Sequence, residues 1–282
     1  MRGDILDHFL EIEWFDEQLG KILEQLEDAG ELDNTIIVVT GDNGMAFPRA
    51  KANLYEYGVR VPLAVRWGEH TEAGRVLDDL ISFVDFAPTF LEAADVTPPE
   101  TMTGRSFLKT LTSNAAGANE YVLFGRERHS HARFDNLGYP ARAIRTREHL
   151  YINNLKPDRW PAGDPDIYYD IDDGPTKACM LANNDRYPAL FDLAVGKRPA
   201  EELYEVGTSM DCMENLAELP EYKETKDQLA AKLTTLLTEQ QDPRAVGTGD
   251  IFESYPRFGR MRPELGGFAE QGARNSKYEI QP

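Results

Sequence analysis

A carboxylate and an amide stand side by side directly after a predicted β-strand. Residues 35–40 read Thr-Ile-Ile-Val-Val-Thr, a run rich in β-branched side chains that is typical of a parallel strand buried on both faces. Ligands of open α/β sheets bind outside the carboxyl ends of such strands, and Asp and Asn oxygens suit Ca²⁺ or Mg²⁺ better than zinc. Asp42 and Asn43 are therefore candidate cation ligands. The alternative is a plain turn, because Asn43-Gly44 is also a strong hairpin signal.

A lysine follows nine positions after Asp42, in a segment with turn-forming residues. A loop lysine near a strand end can bind an anion as a point charge. Lys51 is therefore a candidate anion-binding residue, and the alternative is a solvated lysine on the surface.

Basic residues are concentrated between positions 126 and 149, in a chain whose formal net charge is −19. Three acidic residues accompany six arginines there, so the segment carries a local charge of +3 if histidine is counted as neutral. Arginine forks suit sulfate and carboxylate oxygens, although arginines also cover surfaces with their apolar stems. The spacing of His129 and His131 also fits a transition-metal pair, but no Cys or carboxylate stands at a supporting distance. The basic residues are Arg126, Arg128, His129, His131, Arg133, Arg142, Arg145, Arg147 and His149.

The composition indicates an ordinary globular protein of 282 residues, 41% hydrophobic and 28% charged. The strongly acidic total argues against nucleic-acid binding, because a phosphate backbone would be repelled. No run of 18 apolar residues occurs, so no transmembrane segment is predicted. Cys179 and Cys212 fit no metal-binding spacing and are too few for a disulfide framework. A single bridge between them stays possible.

Hydrophobic periodicity predicts an α/β fold made of two parts. Residues 1–112 should form parallel strands with helices in a mixed or parallel sheet, and residues 113–282 a smaller antiparallel sheet with a packed helix. The boundary lies in the small, polar stretch 113–119. The predicted helices are 5–29, with Asp4 as N-cap and Gly30 as the C′ residue, 86–94, with Asp85 as N-cap, and 220–239. The predicted strands are 35–40, 59–67, 121–124, 143–145 and 150–152, and the tail from Pro256 shows no period.

The order of these motifs resembles the type I sulfatase family of the alkaline-phosphatase-like superfamily. Its second signature region is matched by Asp33-Asn34-Thr35, Gly41-Asp42-Asn43-Gly44, Lys51 and Leu54–Pro62. Similar landmarks follow at Asp85–Leu91, Met102–Phe107, Glu202-Leu203-Tyr204 and Asn215-Leu216-Ala217. The pairs Phe47-Pro48, Phe124-Gly125, Tyr139-Pro140-x-Arg142 and Asp242-Pro243 are closest to the sulfamidase (heparan N-sulfatase) branch.

The resemblance implies a site for sulfated sugars. Asp42 and Asn43 would hold Ca²⁺, or Mg²⁺, together with two Asp residues from an N-terminal portion. Lys51 would contact the sulfate as a catalytic residue, although some sulfamidases have Arg there. The substrate pocket would contain Arg126, His129 and Arg142. The complete protein would hydrolyse sulfuric esters or sulfamates of the N-sulfoglucosamine type, and it would be periplasmic or secreted.

The nucleophile of this family is a formylglycine made from Cys in a C-x-P-S-R segment. Neither Cys179 nor Cys212 is followed by x-P-S-R. We therefore expect this chain to be the C-terminal portion of a sulfatase and to be inactive alone. The alternatives are an anion-binding protein without catalysis, and another hydrolase of the superfamily such as a phosphodiesterase. Phosphodiesterases typically use His and Asp ligands around two metals, and no Asp-His pair follows Thr40.

Overall fold

The computed structural model describes residues 2–113, 115–130, 133–165 and 167–255. The chain folds into two compact units, which are described separately here. The first unit consists of Met1–Asp42 and Val61–Val122, and the second of Asn43–Arg60 and Leu123–Pro282. The domain boundary predicted between residues 112 and 113 remains a prediction. The compact units instead change at 122/123 and assign 43–60 to the second unit.

The first unit contains three α-helices and two paired strands among its described residues. The helices are α1 (Arg2–Asp28), α3 (Phe86–Ala93) and α4 (Leu108–Thr112), and the strands are β1 (Ile37–Thr40) and β2 (Leu63–Arg66). Gly30 adopts a φ of 73° after α1, and Glu31 N donates to Leu26 O at 2.9 Å. Together with the bond from Gly30 N to Glu27 O, this is a Schellman motif, so the predicted C′ role of Gly30 is confirmed.

The predicted parallel strands are not observed among the described residues of the first unit. β1 and β2 pair antiparallel, with Val38 opposite Val65. The Thr40 hydroxyl donates to the Pro62 carbonyl at 2.7 Å, just before β2 begins. A β-branched run indicates a strand, but its direction relative to a neighbour depends on a partner that the local sequence does not specify.

Asp85 does not cap α3 with its side chain, contrary to the prediction. Its carboxylate accepts hydrogen bonds from the backbone N–H groups of Ser82 and Arg105 and from the Asn119 amide, each at 2.8 Å. Asp85 is buried, and it ties three segments of the first unit together.

The second unit is built on a four-stranded sheet in the order β3-β4-β5-β6. β5 pairs antiparallel with both β4 and β6, with Ala143 opposite Ile152 and Leu150 opposite Tyr204. The helix α7 packs against β4 and β5 and buries Leu229 and Leu233, so the predicted antiparallel sheet with a packed helix is confirmed. The strands are β3 (Tyr121–Arg126), β4 (Ala141–Thr146), β5 (His149–Asn154) and β6 (Glu201–Glu205); the helices are α2 (Glu56–Val59), α5 (Pro175–Ala182), α6 (Pro188–Val195), α7 (Lys223–Glu239) and α8 (Ile251–Ser254).

Both cysteines are free thiols, Cys179 exposed and Cys212 buried, so the possible bridge does not form. Among the described residues, no helix has the length and apolar character needed to cross a bilayer. The residues from Pro256 onward lie outside the described part of the chain.

Candidate functional site

Residues 43–60, here called the site loop, form part of the second unit. Two glycines allow this loop to fold closely on itself, and Gly44 N donates to Gly58 O at 3.1 Å. A Cβ added at Gly44 would lie 2.1 Å from the Tyr57 carbonyl oxygen. One added at Gly58 would lie 2.3 Å from the Asn53 carbonyl oxygen. Real Cβ atoms do not approach backbone this closely, so both positions require glycine.

The hairpin interpretation of Asn43-Gly44 is wrong. β1 pairs with β2, which begins at Leu63, and the residues between the two strands include the whole site loop. A tight two-residue turn would instead require a strand directly after Gly44.

Arg49 and Tyr55 fasten the site loop to the rest of the second unit. The Arg49 guanidinium donates to the Leu193 carbonyl at 2.8 Å and to the Cys212 carbonyl, and it lies 4.1 Å from the centre of the Tyr55 ring. The buried Tyr55 hydroxyl donates to the Glu202 carboxylate at 2.8 Å. These contacts fix both the middle of the loop and its approach to β6.

A buried ion pair holds the end of the site loop. The Glu56 carboxylate accepts two hydrogen bonds of 3.1 Å from the Arg145 guanidinium on β4. The Glu56 side chain is 1% exposed and that of Arg145 is 12% exposed. Removing one partner of such a pair would leave the other charge buried and uncompensated.

Lys51 lies on the outer part of this anchored loop. Its Nζ donates to the Asp172 carboxylate at 2.8 Å, and the two side chains are 31% and 39% exposed. The backbone N–H of Lys51 donates to Met45 O at 3.0 Å. Solvent therefore reaches the ammonium group, while its backbone is held in place.

His129 shares an electrostatic neighbourhood with Lys51. The imidazole keeps an exposed surface, but the protein atoms around it exclude part of the solvent, which lowers the pKa of His129. The charges of Arg126 and Lys51 lower this pKa further, whereas Asp170 and Asp172 act in the opposite direction. Contacts with one acidic segment link these residues: Lys51 donates to Asp172, Arg126 donates to Asp170, and Ser130, the neighbour of His129, also donates to Asp170.

Arg126 contributes charge from a buried position. Its side chain is 8% exposed and forms a salt bridge with Asp170, which also pairs with Arg133. Burial, together with the neighbouring charge of Arg133, lowers the pKa of Arg126 to about 10. Burial alone would raise the pKa of Asp170, but the two guanidinium groups outweigh it and hold this pKa below its ordinary value.

Arg142 is engaged by protein groups on several sides. Its guanidinium donates to Asp242 and Glu127 at 2.8 Å each, and to the carbonyls of Arg126 and Ala141. The side chain is 9% exposed. This arrangement favours a structural role, and the assignment of Arg142 to a substrate pocket remains a prediction.

Most arginines of the basic segment are paired with carboxylates, all of which come from other parts of the chain except Glu127. These pairs are Arg126 and Arg133 with Asp170, Arg128 with Glu253, Arg142 with Glu127 and Asp242, and Arg145 with Glu56. The local excess of +3 counted along the sequence is therefore not a patch of free positive charge. His131 lies outside the described residues, so its predicted alternative pairing with His129 stays a prediction.

The predicted cation ligands Asp42 and Asn43 belong to different compact units of the chain. Asp42 ends the first unit and Asn43 begins the second, and both residues are exposed. Among the described residues, no group of three or more His, Cys, Asp or Glu side chains could hold a metal ion. Ca²⁺ takes about six to eight oxygen ligands, so this pair fits part of such a site and does not complete it. The assignment of Asp42 and Asn43 as cation ligands remains a prediction.

Sequence reasoning missed the two carboxylates that organise the site. Asp170 and Asp172 lie 44 and 121 positions from the basic partners Arg126 and Lys51, respectively. They belong to an irregular segment without periodicity. A signal that could have found them is the spacing of acidic residues in Asp170-Ile171-Asp172-Asp173, because two carboxylates at alternate positions can face two different cations.

The comparisons with known proteins point to one family. Residues 7–96 match the family described as Sulfatase. The chain is 32% identical over 239 residues to an ulvan-active sulfatase of Formosa agariphila. The matched region covers 79% of this chain and 36% of that protein. It is 30% identical over 164 residues to N-sulphoglucosamine sulphohydrolase of Homo sapiens, covering 55% of this chain and 32% of that protein. The chain thus spans about a third of the length of these relatives.

A solved structure supports the same conclusion for the fold. It is described as being in complex with its substrate D-glucosamine-2-N,6-O-disulfate, and its TM-score to this chain is 0.59 at 25% identity. The match covers 81% of this chain and 40% of that one. The mixed α/β fold expected from the resemblance is therefore confirmed, with antiparallel sheets and helices in the described residues.

Proposed function

We propose, from the premise that residues 7–96 carry a sulfatase-family domain, that this chain supplies the sulfate-holding side of a sulfatase active site. The observation that supports the proposal is that Lys51, Arg126 and Ser130, the neighbour of His129, all contact the segment Asp170–Asp172 of the second unit. Lys51 and His129 would offer solvent-accessible donors to sulfuryl oxygens, and the buried Arg126 would add the charge that it shares with Asp170. Preorganised positive charge is what stabilises an anionic group during transfer.

We propose a sulfated amino sugar as the substrate class. The similarity to N-sulphoglucosamine sulphohydrolase and to a protein solved with D-glucosamine-2-N,6-O-disulfate supports both N-sulfate and O-sulfate candidates. The sulfamidase branch rests in addition on the Phe47-Pro48 and Tyr139-Pro140-x-Arg142 motifs.

In the whole protein, Asp42 and Asn43 would supply two hard oxygen ligands to a Ca²⁺ or Mg²⁺ ion, which would draw negative charge from the sulfuryl oxygens. The nucleophile would be a formylglycine made from a cysteine other than Cys179 and Cys212. We expect the 282-residue chain to bind sulfated sugars without hydrolysing them, because the loss of a nucleophile lowers the rate by many orders of magnitude. Hydrolysis of a chromogenic sulfate ester by the purified chain, if lost in the Lys51→Ala variant, would contradict this expectation.

Isothermal titration of the chain tests the binding itself. The ligands are glucosamine 2-N-sulfate, glucosamine 6-O-sulfate and unsulfated glucosamine. Both sulfated sugars should bind more tightly than glucosamine, and Lys51→Ala should weaken their binding by roughly tenfold, the value of one charge-assisted hydrogen bond. The matched control is Lys223→Ala, since Lys223 also forms a salt bridge, with Asp227. Equal affinities of wild type and Lys51→Ala would refute the proposal.

A further inference from the structure

A small cavity lies within the second unit, between the site loop and the sheet. Its volume is about 20 Å³, which exceeds the roughly 10–15 Å³ that one water-sized particle needs. Tyr55 of the site loop lines it together with Ile152 of β5 and Glu202 of β6. The cavity therefore lies between the site loop and the sheet, and the hydrogen bond from Tyr55 to Glu202 connects the two.

Three hydrogen-bond donors of the cavity lining have no protein partner among the described residues. They are the Nε–H groups of Arg126 and Arg198 and the hydroxyl of Tyr139, all of which are buried. Arg198 and Tyr139 are 9% and 3% exposed. Buried polar groups in folded proteins are almost always hydrogen-bonded, so each of these donors requires an acceptor, which an occupant of the cavity can supply.

The charges around the cavity leave an excess of positive charge. Arg126 and Arg133 share the single carboxylate of Asp170. Arg198 forms no salt bridge within the described ranges, and its guanidinium lies 5.6 Å from the centre of the Tyr55 ring. The charged residues of the cavity lining are Arg126, Arg198 and Glu202, with a net charge of +1, and the neighbouring Arg133 and Asp170 leave this value unchanged.

The nearest carboxylate, Glu202, is already used by neutral donors. It accepts hydrogen bonds from the hydroxyls of Tyr55 and Tyr204 and from the Asn154 amide. These three hydrogen bonds use most of its acceptor capacity, and none of them comes from Arg126 or Arg198.

We infer that this cavity binds one small monovalent anion, with chloride as the natural candidate. An anion accepts hydrogen bonds from Arg126, Arg198 and Tyr139 together and cancels the excess charge. A water molecule can accept from the two arginines and donate to the Tyr139 hydroxyl, but it leaves the excess positive charge uncompensated. The anion is structural: it joins the site loop to the sheet and takes no part in the proposed hydrolysis.

Thermal unfolding in two salts tests the site. The 282-residue chain is heated in sodium chloride and in sodium gluconate at equal ionic strength. Chloride should raise the unfolding temperature saturably, by roughly 5 °C at a hundredfold excess over its dissociation constant. Tyr139→Phe removes one donor and should reduce this rise. Tyr151→Phe is the control, because its hydroxyl donates to Glu201 and does not line the cavity, and it should keep the full rise.

Crystals of the wild-type chain soaked in bromide locate the anion without any substitution. An anomalous peak in contact with the Nε atoms of Arg126 and Arg198 is the expected result. The inference is overturned if no peak occurs in the cavity and the unfolding temperatures in the two salts agree, which would leave water as the occupant.

Discussion

The Lys51 ammonium donates a hydrogen bond to the Asp172 carboxylate at 2.8 Å, at a partly exposed position of the second unit. Asp172 therefore occupies one donor direction that a sulfate oxygen would use. Exposed pairs of this kind contribute little to stability, roughly 0–1 kcal/mol. An incoming anion can displace the carboxylate at small cost.

Replacing Asp172 should strengthen anion binding by the chain. In Asp172→Asn the competing negative charge is gone, and we expect the dissociation constant for glucosamine 2-N-sulfate to fall by roughly three- to tenfold. Calorimetric titration measures the change. Asp173→Asn is the matched control, since its carboxylate is highly exposed and faces Lys177, and it should change the affinity less. Weaker binding by Asp172→Asn would show that Asp172 positions Lys51.

Binding should depend on pH through His129. Its pKa lies below the ordinary value of about 6.5, so the imidazole is neutral at pH 7 and gains its charge only at lower pH. A bound sulfate favours the charged form, and affinity should therefore rise as pH falls from 7 to 5. The stability of the free chain depends on pH in the opposite direction. Because the pKa of His129 in the folded state lies below 6.5, the free energy of unfolding decreases as the pH falls from 6.5 toward that pKa. His129→Gln should flatten the affinity profile between pH 7 and 5, and an unchanged profile would exclude His129 from the site.

The buried pair at the end of the site loop should be important for stability. Glu56→Gln leaves the Arg145 charge without its partner, and we expect the free energy of unfolding of the second unit to fall by about 3 kcal/mol. Urea unfolding followed by tryptophan fluorescence measures it. Glu17→Gln, which removes an exposed partner of Lys21 on α1, should have little effect. Comparable losses in the two variants would contradict the assigned importance of the Glu56–Arg145 pair.

A methyl group at Gly58 should disturb the site loop directly. Its Cβ would lie 2.3 Å from the Asn53 carbonyl oxygen and 2.4 Å from that of Ala50. Gly58→Ala should cost about 1–3 kcal/mol of stability and weaken sulfate binding, because the displaced backbone carries Lys51. Gly20→Ala on α1 meets no atom within 4 Å and should be neutral or stabilising. An unchanged sulfate affinity in Gly58→Ala would show that the backbone of the site loop does not position the sulfate-binding residues.

Local signals predicted the helices and the C′ role of Gly30, because they depend on neighbouring residues, whereas the predicted N-caps were wrong: Asp4 lies inside α1, and the Asp85 side chain does not cap α3. The helix 5–29 corresponds to α1, and Gly30 ends it as predicted. The strand run 35–40 was also found, as β1. Its direction was wrong because pairing with β2 is set by residues more than twenty positions away. β6 was missed as a strand, since Glu201 and Glu202 obscure its apolar alternation and only the fold shows that Glu202 is buried with tyrosines.

The candidate site was predicted in part. The resemblance identified Lys51, Arg126 and His129, which the second unit brings together. Neither motif nor periodicity could indicate that Asp170 and Asp172 return from a distant segment to pair with them. Charge counted along the sequence therefore overestimated the free positive charge of the basic segment.

A crystal structure of the chain with glucosamine 2-N-sulfate tests the central claim most directly. The account predicts that a sulfate oxygen lies about 3 Å from Lys51 Nζ, with the His129 ring nitrogen also in contact and Asp172 displaced from the ammonium group. A sulfate group bound elsewhere at saturating ligand, with the Lys51–Asp172 hydrogen bond intact, would contradict it.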